Sequence, residues 1–192
     1  MKIFSALYDR ALAWSRHRHA ERYLGAVSFA ESSFFPIPPD VLLAPMTLAR
    51  PDRWVRLAAL TTLASVLGGL LGYVIGAVAI EAVTPLLHRV GYWEHFQTAE
   101  RWFGRYGFWA IFAAGFTPIP YKVFTIAAGA AHMALLPFIA GSIIGRGARF
   151  FLVAALVSYG GAPVERHLRR YIDGIGWATV IALALAYLIW RG

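Results

Sequence analysis

The stretch ESSFFPIPPDVLLAP, residues 31–45, decides how the rest of the chain is interpreted. It places two carboxylates, Glu31 and Asp40, and four prolines in a segment otherwise apolar enough for the interior of a membrane. Water is not available there to satisfy a broken backbone or to solvate a charge, so such features need a partner or a cavity. The stretch therefore predicts a broken, membrane-embedded helix.

The composition of the whole chain also predicts a membrane protein. Of its 192 residues, 59% are hydrophobic and only 15% are charged, whereas a soluble domain carries about 25% charged residues. There is no cysteine, so disulfides and thiolate metal sites are excluded. The net charge of +8 arises from short basic clusters between apolar runs, and we therefore expect no nucleic-acid partner.

The prolines at the centre of the stretch predict two half-length helices. Pro36, Pro38 and Pro39 remove three backbone donors. Each apolar arm within residues 23–49 has about a dozen residues, or roughly 18 Å of helix against a hydrocarbon core of about 30 Å. We predict a re-entrant hairpin with its tip near the midplane, and two plain crossings are the alternative.

An uncharged crossing follows the first hairpin. It runs from Leu57 to Ile80 and carries Gly68, Gly72 and Gly76 at four-residue intervals. Small residues at this spacing let another helix approach closely, so we interpret the glycines as a packing surface.

A second copy of this pattern begins at Gly115, where GFTPIPYKVFTIAAGA repeats the tripeptide as Pro118, Ile119 and Pro120 and has Lys122 in the place of Asp40. The run from Tyr106 to Ile144 is too long for one helix, and this tripeptide and Pro137 are the candidate breaks. A re-entrant hairpin returns to its starting side and the crossing after it does not. The two copies are therefore predicted to be inverted, as in many secondary transporters.

The sequence thus predicts an all-α integral membrane protein of one domain, an inverted repeat of a re-entrant helical hairpin plus a transmembrane helix. Its predicted parts are an N-terminal interfacial helix at 1–22 instead of a cleaved signal peptide, repeat 1 at 23–80, an extramembrane linker helix at 81–105, repeat 2 at 106–160 and a C-terminal transmembrane helix at 171–190. On this topology eleven basic residues lie on the side of the N-terminus and four on the other. The N-terminus is therefore predicted to be cytoplasmic and the C-terminus external.

Five ionisable residues are predicted to lie at membrane depth, and each is a candidate for function. They are Glu31, Asp40, Lys122, Arg146 and Arg149. Asp40 and Lys122 occupy equivalent places and would meet, either as a plain ion pair or as a site where Lys122 at a helix N-terminus binds an anion such as phosphate. In the second case Asp40 would cap the other half-helix.

The other three buried charges leave two interpretations open. Glu31 has no charged counterpart, because the equivalent position is Ala113, and burial disfavours its charged form, so it is a candidate proton carrier. It could equally pair with Arg146 or Arg149. Small neighbours around these two arginines permit close packing, and their guanidinium groups could snorkel or bind phosphate.

No residue pattern predicts an enzyme, a metal site or a cofactor. The six histidines fall in polar segments and turns without metal-ligand spacing. Neither a Ser-His-Asp order nor a glycine-rich phosphate loop is present.

These motifs together resemble the DedA membrane proteins, also called the SNARE-associated or VTT-domain superfamily, and most closely its YqaA-like branch. The resemblance covers about residues 24–160 and is carried by Glu31 with the PIPPD motif at 36–40, by FTPIPYK at 116–122 and by GRGARFF at 145–151. It implies paired re-entrant hairpins with Glu31 and Asp40 as the family's acidic pair. Many relatives have two arginines around the second tip, but here Gly115 stands in the place of the first, and Lys122, shifted by one residue, replaces the second.

The resemblance also implies a role in moving lipids in the bacterial inner membrane and in membrane homeostasis. The implied ligands are phospholipid or undecaprenyl phosphate head groups, with coupling to protons or another ion. Two alternatives are a proton-coupled transporter of a small ion, which the same inverted repeat would serve, and a membrane scaffold that transports nothing.

Overall fold

The computed structural model describes residues 17, 19–34, 38–89, 91, 93–117 and 120–160, and the regular structure in these ranges is helical. The helices are α1 (Ala20–Ser33), α2 (Asp40–Ala49), α3 (Trp54–Arg89), α4 (Trp93–Phe116), α5 (Tyr121–Ala130) and α6 (Leu135–Gly160). Most of the predicted interfacial helix and all of the predicted final crossing lie outside the described residues.

Two of the described helices are long and apolar enough to cross a membrane. They lie within Pro51–Arg89 and Leu135–Gly160. The predicted crossing from Leu57 to Ile80 falls inside the first segment, and the second segment lies within the predicted repeat 2 at 106–160.

The same order of elements occurs twice along the chain. A helix runs into a proline-containing break, a helix of ten residues follows, and after a short turn comes a long helix. Pro39 directly precedes α2 and Pro120 directly precedes α5, as expected for a residue that has no backbone donor and a helical φ. Pro36, Pro118 and Ile119 lie outside the described residues.

The predicted linker helix at 81–105 differs from the structure. Its first part continues α3 to Arg89, and its second part belongs to α4, which begins at Trp93. The two helices are separated by a turn at Gly91, whose φ of 75° is a conformation that glycine adopts readily. The sequence did not predict the boundary between α3 and α4, because residues on both sides of the turn are similarly polar and helical.

Side-chain and backbone contacts show the direction in which neighbouring helices run. Within each half, the helix before the break and the long helix run in the same direction. In the first half, contacts join Ser28 to Thr61, Ser32 to Ser65 and Ser33 to Gly68. In the second half, Phe108 approaches Gly141, Phe112 approaches Gly145 and Thr117 contacts Arg149. The two long helices run in opposite directions: Trp54 contacts Phe151, Thr62 approaches Gly147 and Ser65 contacts Arg146. The contacts thus fix the relative directions of α1, α3, α4 and α6.

Two apolar clusters form the core of the described part of the chain. The first joins the beginnings of α1 and α3 to the ends of α2 and α6: Ala20, Leu24, Leu43, Met46, Leu57, Ala58, Phe150 and Ala154. The second joins α4 and α5 to the beginning of α6: Phe103, Ala110, Ile111, Ala114, Tyr121, Ala128, Ala131, Met133 and Phe138. The charged residues discussed below lie between these two clusters.

The glycine stripe of α3 packs against two helices, which confirms the predicted packing surface. A side chain at Gly68 would collide with the backbone of Phe29 in α1, and one at Gly76 with the carbonyl of Ile126 in α5. From α5, Gly129 meets the carbonyl of Tyr73 in the same way. These glycines are needed for close approach of the backbones.

We expect Gly76→Ala to destabilise the fold by about 1–3 kcal/mol, because the added methyl group would separate α3 from α5. The matched control is Gly104→Ala in α4, where a methyl group would meet nothing within 4 Å. Thermal unfolding in detergent micelles measures both. Equal midpoints for the two variants would contradict the packing interpretation.

Candidate functional site

Arg146 is buried, with 3% of its surface exposed, and its guanidinium group is held by hydrogen bonds from three sides. Its Nη2 donates to Glu31 Oε2 at 2.6 Å and lies 3.4 Å from Ser32 Oγ, and its Nε donates to Ser65 Oγ at 2.6 Å. The ion pair with Glu31 is one of the two interpretations that the sequence left open for this acid, and it is confirmed.

Two aromatic rings complete the surroundings of this guanidinium group. Its central carbon lies 4.9 Å from the ring centre of Tyr121 and 4.6 Å from that of Phe150. A cation over an aromatic face is attracted by the ring quadrupole, most strongly where water is excluded. The Tyr121 hydroxyl in turn donates to Ser142, whose hydroxyl donates to the carbonyl of Phe138. The charge is thus enclosed by α1, α3, α5 and α6.

Arg149 bonds to one described residue beside each of the two breaks. Its Nη2 donates to Asp40 Oδ2 at 2.8 Å, at the beginning of α2, and its Nη1 donates to the carbonyl of Thr117 at 2.8 Å, directly before the second break. The side chains of Arg149 and Asp40 remain 21% and 23% exposed. One guanidinium group therefore links the beginning of α2 to the end of α4 and remains partly accessible.

Asp40 does not cap its helix as predicted. Pro39 is the N-cap residue of α2 and no side chain caps the helix, while Asp40 lies in the first turn. Its carboxylate is turned to Arg149 instead, because an ion pair away from water stabilises it more than a terminal amide does. Asp40 Oδ1 is buried and has no hydrogen-bond partner among the described residues.

Lys122 lies in the first turn of α5, half-buried, directly after the second break. The sequence analysis predicted Lys122 at a helix N-terminus, and α5 begins at Tyr121. The ion pair that the described residues show for Asp40 is with Arg149, and a meeting of Asp40 with Lys122 stays a prediction.

The position of Gly115 explains how the chain accommodates the missing family arginine. A side chain there would press on the backbone of Gly145 and Arg146, at 3.1–3.3 Å from its Cβ. Glycine thus lets α4 pack directly on α6, and α6 contributes Arg146 and Arg149 to the central region. The guanidinium groups come from the long helix instead of from the break.

Sequence reasoning missed the hydroxyl groups that hold Arg146. Ser32 and Ser65 also hydrogen-bond to each other at 2.7 Å, and Ser28 donates to the carbonyl of Thr61. A signal was present, since Ser28 and Ser32 are four residues apart on α1 and Thr61 and Ser65 four apart on α3. Polar stripes at this spacing on two apolar helices are typical of facing membrane helices.

The described residues contain no group of three or more histidines or carboxylates that could hold a metal ion. What they do provide is two buried or half-buried ion pairs that join α6 to α1 and α2, with helix breaks beside one of them. This arrangement, with two apolar helices of membrane-spanning length, defines an integral membrane protein built around paired internal charges.

The chain belongs to the VTT-domain family, that of the DedA or SNARE-associated membrane proteins, whose model matches residues 37–159. It is 46% identical to an uncharacterized protein of Haemophilus influenzae and 44% identical to one of Histophilus somni, each over 98% of this chain and at least 98% of the relative. It is also 33% identical to undecaprenyl phosphate transporter A of Staphylococcus aureus, over 47% of this chain and 48% of that protein. No solved structure matches the chain.

Replacing Arg146 by methionine is expected to destabilise the protein by about 3–5 kcal/mol, because Glu31 would be left as a buried charge without its partner. The double variant Glu31→Gln, Arg146→Met should regain much of this loss, since no unpaired charge remains. Thermal or denaturant unfolding in detergent measures the difference. The control is Arg101→Met, whose guanidinium group is exposed and donates to Thr98 one turn earlier in α4. A double variant as unstable as the single one would show that the ion pair is not what Arg146 contributes.

Proposed function

We propose that the chain moves lipid phosphates between the leaflets of the bacterial inner membrane, as a translocase and not as an enzyme. The observation that carries this is the position of Arg149, a partly exposed guanidinium group that bonds to residues beside both helix breaks. Guanidinium groups bind phosphate through paired hydrogen bonds, and broken helices at membrane depth are tolerated where they line a path for a polar group.

The directions of the helices support a re-entrant and inverted arrangement. Because α1 and α3 run in the same direction, α2 must return the chain between them, and α5 does the same between α4 and α6. Two contacts agree with this: the ion pair of Glu21 with Arg56 joins the beginnings of α1 and α3, and Glu100 lies 3.9 Å from His132 in the turn before α6. On this proposal the N-terminus is cytoplasmic and Arg149 lies near the midplane.

In this site a phosphate would replace the present partners of Arg149. Lys122 at the beginning of α5 would add a second positive charge, and the amides at that helix end favour an anion. The name of the relative from Staphylococcus aureus makes undecaprenyl phosphate a candidate substrate beside phospholipid head groups.

Proton coupling is part of the proposal, and we assign it to Asp40 instead of Glu31. The Glu31 carboxylate receives hydrogen bonds from Arg146 and Ser32. Oxygen Oδ1 of Asp40 accepts no hydrogen bond from the described residues, so a proton could bind there without breaking one. A transporter that exchanges protons for a small soluble ion would use the same group.

A scaffold without transport is the second candidate, and one observation favours it. Of the five buried charges, four form ion pairs with one another, Glu31 with Arg146 and Asp40 with Arg149. A protein that used these charges only to join its helices would show the same pairs.

Arg149→Gln is expected to abolish most transport, at least tenfold, while leaving the fold intact, because the amide keeps a donor for Thr117 but loses the charge for phosphate. The assay follows labelled undecaprenyl phosphate or phosphatidic acid between the leaflets of proteoliposomes. Arg105→Gln, on the exposed face of α4, is the matched control and should transport like the wild type.

Three outcomes separate the candidates. A wild-type protein that moves neither lipid, beside a positive control that does, would overturn the proposal in favour of the scaffold. An Arg149→Gln variant as active as the wild type would remove Arg149 from the site. If protons are coupled through Asp40, Asp40→Asn should lose its response to an imposed pH gradient, whereas Glu31→Gln, provided that it folds, should keep that response.

The proposed topology predicts which positions a membrane-impermeant maleimide can reach. Since the chain has no cysteine, single replacements suffice: Asp52→Cys should react from the cytoplasmic side, and Glu94→Cys and Ala134→Cys from the other side. Thr117→Cys beside the second break should react at least tenfold more slowly. Two plain crossings would instead bring Thr117→Cys to the cytoplasmic surface, where it would react as fast as Asp52→Cys.

A further inference from the structure

We propose that a furrow between α4 and α6 holds the hydrocarbon chain of the lipid whose phosphate binds at Arg149. The α4–α6 furrow is defined by Phe108, Phe112, Phe116, Ile144 and Ala148. This inference rests on the proposed function, because a lipid chain lying there without a bound head group would be ordinary bilayer lipid.

One side of the furrow is a wall of aromatic rings along α4. Phe108, Phe112 and Phe116 stack at four-residue spacing, with ring centres 6.4 Å apart and planes inclined by only 8° and 10°. They extend over eight residues, or about 12 Å of helix. Phe116 is 43% exposed and the other two are half-buried. The rings therefore present a continuous apolar surface to a long, thin ligand.

At the bottom of the furrow the two helices are in direct contact. Gly141 and Gly145 of α6 face the carbonyls of Phe108 and Phe112, where a Cβ would lie 3.0 Å and 2.5 Å from the carbonyl oxygens. Ile144 and Ala148, which follow on α6, are exposed. An aliphatic chain lying over this contact would thus meet aromatic rings on one side and the side chains of Ile144 and Ala148 on the other.

The furrow leads directly to the charged site. Phe116 is followed by Thr117, whose carbonyl accepts a hydrogen bond from Arg149, and Ala148 is the neighbour of Arg149 in α6. A phosphate at Arg149 therefore brings its attached chain to the Phe116 end of the wall. This continuity favours a phosphate-bearing lipid over a second copy of the protein or the apolar stretch 172–190 as the occupant.

A different apolar face of the molecule provides the control. Residues 63–78 of α3 expose aliphatic side chains, Leu67 at 58% and Val78 at 65%, in a run without a charged residue. Bilayer lipid covers such a face without regard to head group. Only the α4–α6 furrow should distinguish between lipids.

The test uses phosphatidic acid that carries a photoreactive diazirine in its acyl chain, and phosphatidylcholine with the same chain, in bilayers containing the full-length protein. Mass spectrometry locates the crosslinks. We expect phosphatidic acid to label the furrow at least threefold more than phosphatidylcholine, and both lipids to label residues 63–78 equally. Arg149→Gln and an excess of unlabelled undecaprenyl phosphate should each remove the difference at the furrow.

Variants of the wall give a second measurement. Phe112→Leu and Phe116→Leu keep an apolar side chain but remove the rings, and should reduce the preferential labelling, whereas Leu67→Ala should not. Equal labelling of the furrow by both lipids in the wild type would overturn the inference, and so would crosslinks from the furrow to residues 172–190 or to a second copy. If transport depends on Arg149 but the furrow shows no preference between the lipids, the proposed position of the hydrocarbon chain is wrong and the proposed function stands. If the preference is present without transport, the proposed function fails instead.

Discussion

The buried guanidinium group of Arg146 constrains the rest of the structure more than any other single group. A charge removed from water costs several kcal/mol unless ion pairing and hydrogen bonding compensate. Compensation here comes from Glu31 on α1, Ser65 on α3 and two aromatic rings on α5 and α6. Since the group has this environment only when all four helices are in register, its burial couples the two halves of the molecule.

The glycine contacts and the polar contacts of the core depend on one another. A serine hydroxyl is short and reaches a neighbouring helix only if the two backbones are close. Gly68 allows that approach between α3 and α1, where Ser33 donates to the carbonyl of Gly68 itself at 2.9 Å. In a membrane, where burial of apolar surface does little to drive helix association, such packing and hydrogen bonding are the main sources of stability. The small residues are therefore part of the same network as the charges.

The sequence was sufficient for the features that follow from local chemistry. Prolines mark the breaks before α2 and α5, four-residue glycine spacing marks the packing surface of α3, and charges in apolar segments mark the central residues. The sequence did not determine which of those charges pair, because Glu31 and Arg146 are 115 residues apart and their contact depends on how the two halves pack together. The same holds for Tyr121, whose ring lies under Arg146 only in the folded molecule. The helix boundary at Gly91 was missed because polar composition extends across it.

The two arginines of α6 differ in what surrounds them, although they are three residues apart and lie on neighbouring faces of one helix. Arg146 is enclosed, and each of its partners is itself fixed by packing. Arg149 has one partner from each half, Asp40 from the first and the carbonyl of Thr117 from the second. A movement of one half against the other would therefore lengthen the bond between Arg149 and Asp40, and it would also disturb the bonds of Arg146 to Glu31 and Ser65. On the proposed function, an anion bound at Arg149 would take the place of Asp40, and binding at this partly exposed arginine would then be coupled to such a movement.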